Sequence, residues 1–403
     1  DLHLCDRRQR QMCIRDSAIM DNNIFETQTL KPASDINPQN PFENFTEYEA
    51  YNSDYREIVP QIDIPGCKIP FEPSKAERRR IRHYFNIAGG GIILHFLLSN
   101  GLLLAAVYIL RLIVMRIDGV KPVEATRQYL SGLETFFNTS AINIGLNMLI
   151  LTSCSIVIFL LGSKVSNIKI KSYFSAADFT VKTIAAYCVI SFFIRYIAGI
   201  AGSAAEMIFS GVDMSVGTEM MNYENPKTIA ITAVYACIGA PVTEELMYRG
   251  FVMKNLSRVG QRFGIIMSSL LFGLMHANVG QFIFAFIMGI FFAHIDVKHN
   301  SIIPSIIVHS FANTYSTVVS YSGVLENQLA LALTSLATLA LSIAGFALFI
   351  KFYKNNRLPF TMPHQKLRNG TAVSSVMLII PVVIYTFFTI YNSFPKLAEY
   401  LQI

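Results

Sequence analysis

The chain is poor in charge and has no tryptophan. Of its 403 residues only 15% are Asp, Glu, Lys or Arg, whereas 52% are hydrophobic, and the mean hydropathy is +0.42. A soluble enzyme of this length would have to bury nearly all of its long apolar runs, so the composition excludes that class. Without tryptophan, any aromatic belt at a membrane interface falls to the 18 tyrosines and to phenylalanine. The six cysteines form no C-x-x-C pair. Three of them, Cys154, Cys188 and Cys237, lie in apolar runs where a thiol acts as a small hydrophobe, so no disulfide framework is implied. There is no H-E-x-x-H zincin helix and no G-x-S-x-G elbow. No internal repeat is visible, which counts against an inverted-repeat transporter.

What the chain does have is a series of apolar stretches near 20 residues long, the length that crosses a bilayer. They predict an all-α polytopic membrane protein with eight or nine transmembrane helices. The nine candidates are residues 86–115, 139–163, 179–204, 228–253, 263–279, 281–297, 302–320, 327–351 and 372–393. The basic block at Lys75, Arg78, Arg79, Arg80 and Arg82 precedes the first span and is expected to stay in the cytoplasm. With nine crossings, Lys164, Lys169, Lys171, Lys254, Arg258, Arg262, Lys298, Lys351, Lys354, Arg357, Lys366 and Arg368 all fall on that same side. The expected location is therefore the plasma or cytoplasmic membrane, multi-pass, with the N terminus cytoplasmic and the lipid bilayer as partner. Cations placed beside apolar segments also exclude nucleic acid as the reason for the net charge of +6.

The chain divides by composition. Residues 1–19 resemble a non-native extension with no apolar signal core, and 20–82 reads as a cytosolic tail, polar, proline-rich and disordered before its basic end. Residues 83–225 hold the N-terminal membrane helices, 226–320 the candidate catalytic core, and 321–403 the C-terminal membrane helices. Between the first two spans, Tyr129, Leu130, Leu133, Phe136 and Phe137 recur at helical spacing, which predicts an amphipathic helix lying on the membrane.

The exceptional stretch is residues 239–251, where Glu244, Glu245 and Arg249 sit inside an apolar run. Each such charge near a bilayer centre costs about 2.5 to 3.5 kcal/mol on the most lenient scale. Glu245 and Arg249 are four apart with the acid first, the favourable order for a pair on one helix face. Glu244 then points about 100° away and needs partners from other helices. A spare buried carboxylate is a natural general base. Histidines follow in Phe272-Gly-Leu-Met-His276 and His309-Ser-Phe-Ala-Asn313. Counted from their cytoplasmic connection, Glu244 and His276 lie about 21 Å along their helices, level with one another, and His309 about 12 Å. Phe272 is expected as wall, Gly273 and Gly289 as sites of close helix approach, and His95 and His294 as structural.

Together, Glu244-Glu245-x-x-x-Arg249, Phe272-x-x-x-His276 and His309-x-x-x-Asn313 resemble the three motifs of the CPBP family of intramembrane proteases. That family includes type II CAAX prenyl endopeptidases and bacterial proteins of bacteriocin self-immunity. The resemblance covers about 226–320. It implies a CAAX-protease-type helical core in which Glu244 with His276 activates water, while His309 with Asn313 stabilises the oxyanion. Glu245 and Arg249 would support them as a clamp. A second mechanism fits the same residues: zinc held by Glu244, His276 and His309. The implied substrate is a membrane-associated or lipidated peptide. Outside the enzyme class stand a non-catalytic scaffold or immunity protein and a proton-coupled transporter.

Overall fold

The computed structural model describes residues 75–174, 179–209, 226–324, 326–355 and 370–393. The segments 1–19 and 20–74 lie outside them, as does most of the loop after residue 209. Ten helices carry the fold: α1 Lys75–Ile117, α2 Arg127–Thr139, α3 Ala141–Val165, α4 Val181–Phe209, α5 Lys227–Val259, α6 Gln261–Leu274, α7 Val279–His299, α8 Ile303–Val324, α9 Gln328–Asn355 and α10 Val376–Ser393. Among the described residues there is no β-strand beyond the single bridge Phe174–Ser301. The all-α polytopic architecture is thus as expected, with a helix at each of the nine expected spans.

Seven of these helices are long and apolar enough to cross a membrane: α1, α3, α4, α5, α7, α9 and α10. The remaining two of the nine expected spans are informative. Helix α6 has 14 residues, about 21 Å, short of the roughly 20 residues a full crossing takes. Helix α8 has 22 residues, but Ser305, His309, Ser310, Asn313, Thr314, Ser316 and Thr317 dilute its apolar content. Both flank the charged stretch of α5.

Local chemistry explains the helix ends. The Thr126 side chain accepts from Tyr129 N at the start of α2, Ser140 from Ile142 N at α3, and Asn278 from Gln281 N at α7. Asn300, left-handed at φ 48°, closes α7. Helix α2 is amphipathic as expected, and part of its apolar face is buried against the end of α1: Leu133 and Phe137 pack with Met115 and Val114. Leu130 and Phe136 stay exposed, available to lipid.

Packing then places α5 at the centre. Helices α1 and α3 pack together, α10 lies along α1, α6 along α7, and α4 along both α7 and α9. The main core cluster gathers Ile81, Phe85, Ile158, Phe251, Leu256, Leu271 and Phe272. Phe251 anchors α5. A Cβ at Gly91 of α1 or at Gly162 of α3 would run into its ring, so these two glycines form the slot that fixes the depth of α5.

Candidate active site

Helix α5 is not a regular α-helix where its charges sit. Residues Tyr235–Gly239 and Glu245–Val252 form π-helical turns on either side of the α-helical turn Ala240–Glu244. Such widened turns are rare and concentrate at functional sites, and they correct the uniform 3.6-residue geometry assumed from sequence. The Glu245–Arg249 pair survives the widening. Arg249 Nε lies 3.2 Å from Glu245 Oε2, and both side chains are 0% exposed.

The guanidinium is also held from other helices. It lies 4.1 Å over the Phe272 ring of α6 and 5.7 Å from the Phe292 ring of α7. Room for it comes from Gly289, where a Cβ would stand 2.9 Å from Arg249 Nη2 and 3.1 Å from Phe272 Cδ1. Gly273 does the expected work between α6 and α7, since a Cβ there would meet Phe282 O at 2.9 Å. Phe272 is therefore more than wall. It faces Arg249, and it contacts both histidines edge-on, at 5.2 Å from His276 and 5.9 Å from His309.

His309 differs from expectation in its partners. Its Nδ1 is 2.8 Å from Glu245 Oε1, and its Nε2 is 3.7 Å from Glu244 Oε2. The ring stacks on Phe292 at 4.8 Å with an interplanar angle of 23°. Glu245 is thus shared, one oxygen toward Arg249 and the other toward His309. Nothing in the chain's pattern marks this link, because it joins residues 64 apart. His309 is fixed by Glu245, not by Asn313. The Asn313 amide instead donates to the Ala236 carbonyl at 2.9 Å, docking α8 onto the first π-turn of α5.

His276 lies beyond the end of its helix. The span expected to reach residue 279 stops at Leu274, Ala277 turns left-handed at φ 52°, and Asn278 caps α7. Its Nδ1 is 2.9 Å from the Phe272 carbonyl, which leaves Nε2 for other partners. It is close enough to Glu244 to interact electrostatically. Glu244 retains 18% side-chain exposure against 0% for Glu245, so of the two adjacent acids it is the reachable one.

Three neighbours were not anticipated. Asp296 of α7 is 0% exposed, accepts from Ser305 Oγ at 2.8 Å and interacts electrostatically with Glu245 and Arg249. Ser305 is one turn before His309, and Phe292 one turn before Asp296. A lone acid near the end of an apolar run was a legible signal for Asp296. Ser305 and Phe292 carried none. His95 bonds Ser155 at 3.0 Å and His294 packs 5.2 Å from Phe352, both apart from this cluster.

Among the described residues no group of three or more His, Cys, Asp or Glu side chains, Glu244, His276 and His309 included, stands as a metal site. What the cluster offers is a reachable carboxylate, Glu244, facing an imidazole that a second carboxylate holds from behind.

Residues 226–315 match the family model Rce1-like, described as type II CAAX prenyl endopeptidase Rce1-like. The match contains every motif residue from Glu244 to Asn313 and spans α5 to the middle of α8. No curated protein matches the chain, and no solved structure does.

Proposed function

We propose, on the premise that the Rce1-like domain at residues 226–315 puts this chain in the CAAX/CPBP family, that it is an intramembrane endopeptidase hydrolysing a membrane-associated or lipidated peptide with water activated by Glu244. The observation that carries this reading is the His309 ring, held at Nδ1 by Glu245 and turned at Nε2 toward Glu244.

Glu244 takes a proton from water, and the hydroxide so formed attacks the carbonyl carbon of the scissile bond. The carbonyl π pair moves to oxygen. His309, protonated at both nitrogens, gives one N–H to Glu245 and the other to this oxyanion, a fixed donor in a site largely free of water. With Glu244 carrying the proton, Glu245, His309, Arg249 and the oxyanion sum to zero charge, which suits a membrane interior. Glu244 then returns its proton to the leaving amine as the C–N bond breaks. His276 works beside Glu244 through Nε2. Asn313 acts as a positioning residue through Ala236, and Glu245 with Arg249 fixes His309.

The basic bias of the loops supports a cytoplasmic N terminus and a multi-pass membrane location. The test is turnover of a library of lipidated and membrane-anchored peptides by purified protein. Glu244→Gln keeps size and removes the base, so cleavage should vanish while expression and melting stay near wild type. Wild-type rates in that variant would end the assignment.

A further inference from the structure

The turn that carries His276 leaves helical backbone at an unfavourable depth. Helix α6 runs 14 residues from Gln261, about 21 Å, short of the roughly 30 Å of bilayer hydrocarbon. Backbone that stops being helical there loses its internal partners and meets no water, so it persists only where other protein groups supply them. Ala277 adds to the problem. At φ 52° it holds a left-handed conformation, which an L-residue keeps only when its surroundings over-determine it.

The partners come from α10, which lies against α6 and α7 although it is 115 residues on and outside the matched residues 226–315. The Asn392 amide donates to the Ala277 carbonyl at 2.9 Å. The Ser393 hydroxyl accepts from Val279 N, the first N–H of α7, at 3.4 Å. The Thr389 hydroxyl, which donates to Tyr385 O at 2.7 Å, lies 3.5 Å from the Leu274 carbonyl at the end of α6. Both sides of the break are thus met from one helix. Tyr385, Thr389 and Ser393 belong to the buried stripe of α10, with Asn392 at its edge. Higher on that stripe, Tyr385 shares a hydrogen bond with Tyr248, four residues past Glu244 on α5. Helix α10 therefore bonds both walls of the site, the helix of Glu244 and the turn of His276.

We propose that Asn392 is a positioning residue for hydrolysis: by fixing the Ala277 carbonyl it sets the backbone just past His276 and turns that ring toward Glu244. The inference rests on the endopeptidase reading and adds to it a helix outside the matched domain. His276 has one further hold, Nδ1 on the Phe272 carbonyl at 2.9 Å. A carbonyl only accepts, so Nδ1 carries the hydrogen and Nε2 of the neutral ring keeps the lone pair. Without Asn392, Ala277 can relax from its left-handed state and carry His276 with it, and both the tautomer and the aim of the ring are lost.

The test uses full-length protein in phosphatidylcholine nanodiscs. Asn392→Leu keeps the volume, removes the donor and suits an apolar helix, so melting should stay near wild type. On the membrane-anchored peptide that wild type cleaves fastest, kcat should fall about 10- to 100-fold, the cost of a misplaced group, with KM within about twofold. Binding of that peptide to Glu244→Gln protein should be the same with and without Asn392→Leu. Ile390→Ala, on the exposed side of α10, should leave both constants unchanged. In ring-nitrogen NMR of labelled histidine, the His276 signals, assigned by their loss in His276→Ala, should move in Asn392→Leu from the Nδ1–H pattern toward mixed tautomers. Those of His309 should stay in place. Asn392→Ala carries the same readings should leucine disturb packing. Wild-type kcat in both variants, a loss confined to KM, or an unmoved His276 signal overturns the proposal. Equal movement of both histidines does so too, by showing general loosening. If wild type cleaves no peptide while the His276 signals answer to Asn392, the endopeptidase reading fails and the hold of α10 on His276 does not.

Discussion

Two arginines sit deep in this molecule, and their surroundings separate a structural charge from an available one. Arg249 is 0% exposed, paired with Glu245 one turn away and covered by Phe272. Arg195 of α4, half-buried, has a hydroxyl, two aromatic rings and an open cavity. The first is neutralised within the fold and serves to fix Glu245, which in turn fixes His309. The second, at mid-helix, has no acid beside it among the described residues. Full burial beside an acid makes a scaffold, and partial burial against rings and a hydroxyl leaves the cation facing the cavity.

The largest expected effect comes from breaking the neutralised pair. Glu245→Gln strands Arg249 in a dry site and removes the carboxylate from His309 Nδ1, so folding should lose about 3 to 5 kcal/mol. Thermal melting in detergent should fall steeply, with residual folded protein inactive. A stable, active Glu245→Gln variant would show that Arg249 is compensated by something other than its i−4 acid, and the contrast between the two arginines would dissolve.

A smaller change probes the space around each. Gly289→Ala puts a methyl group 2.9 Å from Arg249 Nη2, against packed rings, and overpacking of that kind costs about 1 to 3 kcal/mol. Gly199→Ala, beside Arg195, adds a methyl group to open space and gains helix propensity, so it should melt at or slightly above wild type. Equal melting of the two variants would mean that the pocket of Arg249 is as loose as that of Arg195.

Much of this was legible in the chain. Nine apolar runs mark nine helices, seven of them long and apolar enough to cross a membrane, because a bilayer enforces length and polarity together. The motif acids and histidines were legible for the opposite reason: ionisable groups stand out in apolar surroundings. The tertiary partners were not. Sharing of Glu245 between Arg249 and His309 depends on π-turns, and the sequence around Tyr235 and Glu245 gives no periodic sign of them. The end of α6 at Leu274 was hidden because Met275 and Ala277 continue the apolar run. Asp296 was visible as a lone acid, but its role needed Ser305 and Arg249 brought beside it. Arg195 was equally visible and equally silent, since what marks it is that no carboxylate pairs with it among the described residues.

The smallest expected effect lies outside the membrane, where a pair exists without burial. Tyr129 of α2 donates its hydroxyl to Asp118 Oδ2 at 2.7 Å, just past the end of α1. That bond and the adjacent negative charge disfavour the phenolate, so Tyr129 titrates above the ordinary tyrosine value of about 10. A raised tyrosine pKa means that the neutral form is favoured in the folded state. Its contribution is therefore fully present below the unfolded value and is lost as pH rises through the folded one. Water and salt screen an exposed pair, so Asp118→Asn should leave melting unchanged at neutral pH. It should still lower the titration of this one phenol, seen as a residue-resolved shift with labelled tyrosine. A clear drop in melting at neutral pH would show that α2 depends on this bond to stay docked on α1. A hydrogen bond in water would then rank with pairing in the core, against the contrast drawn by the fully buried Arg249 pair.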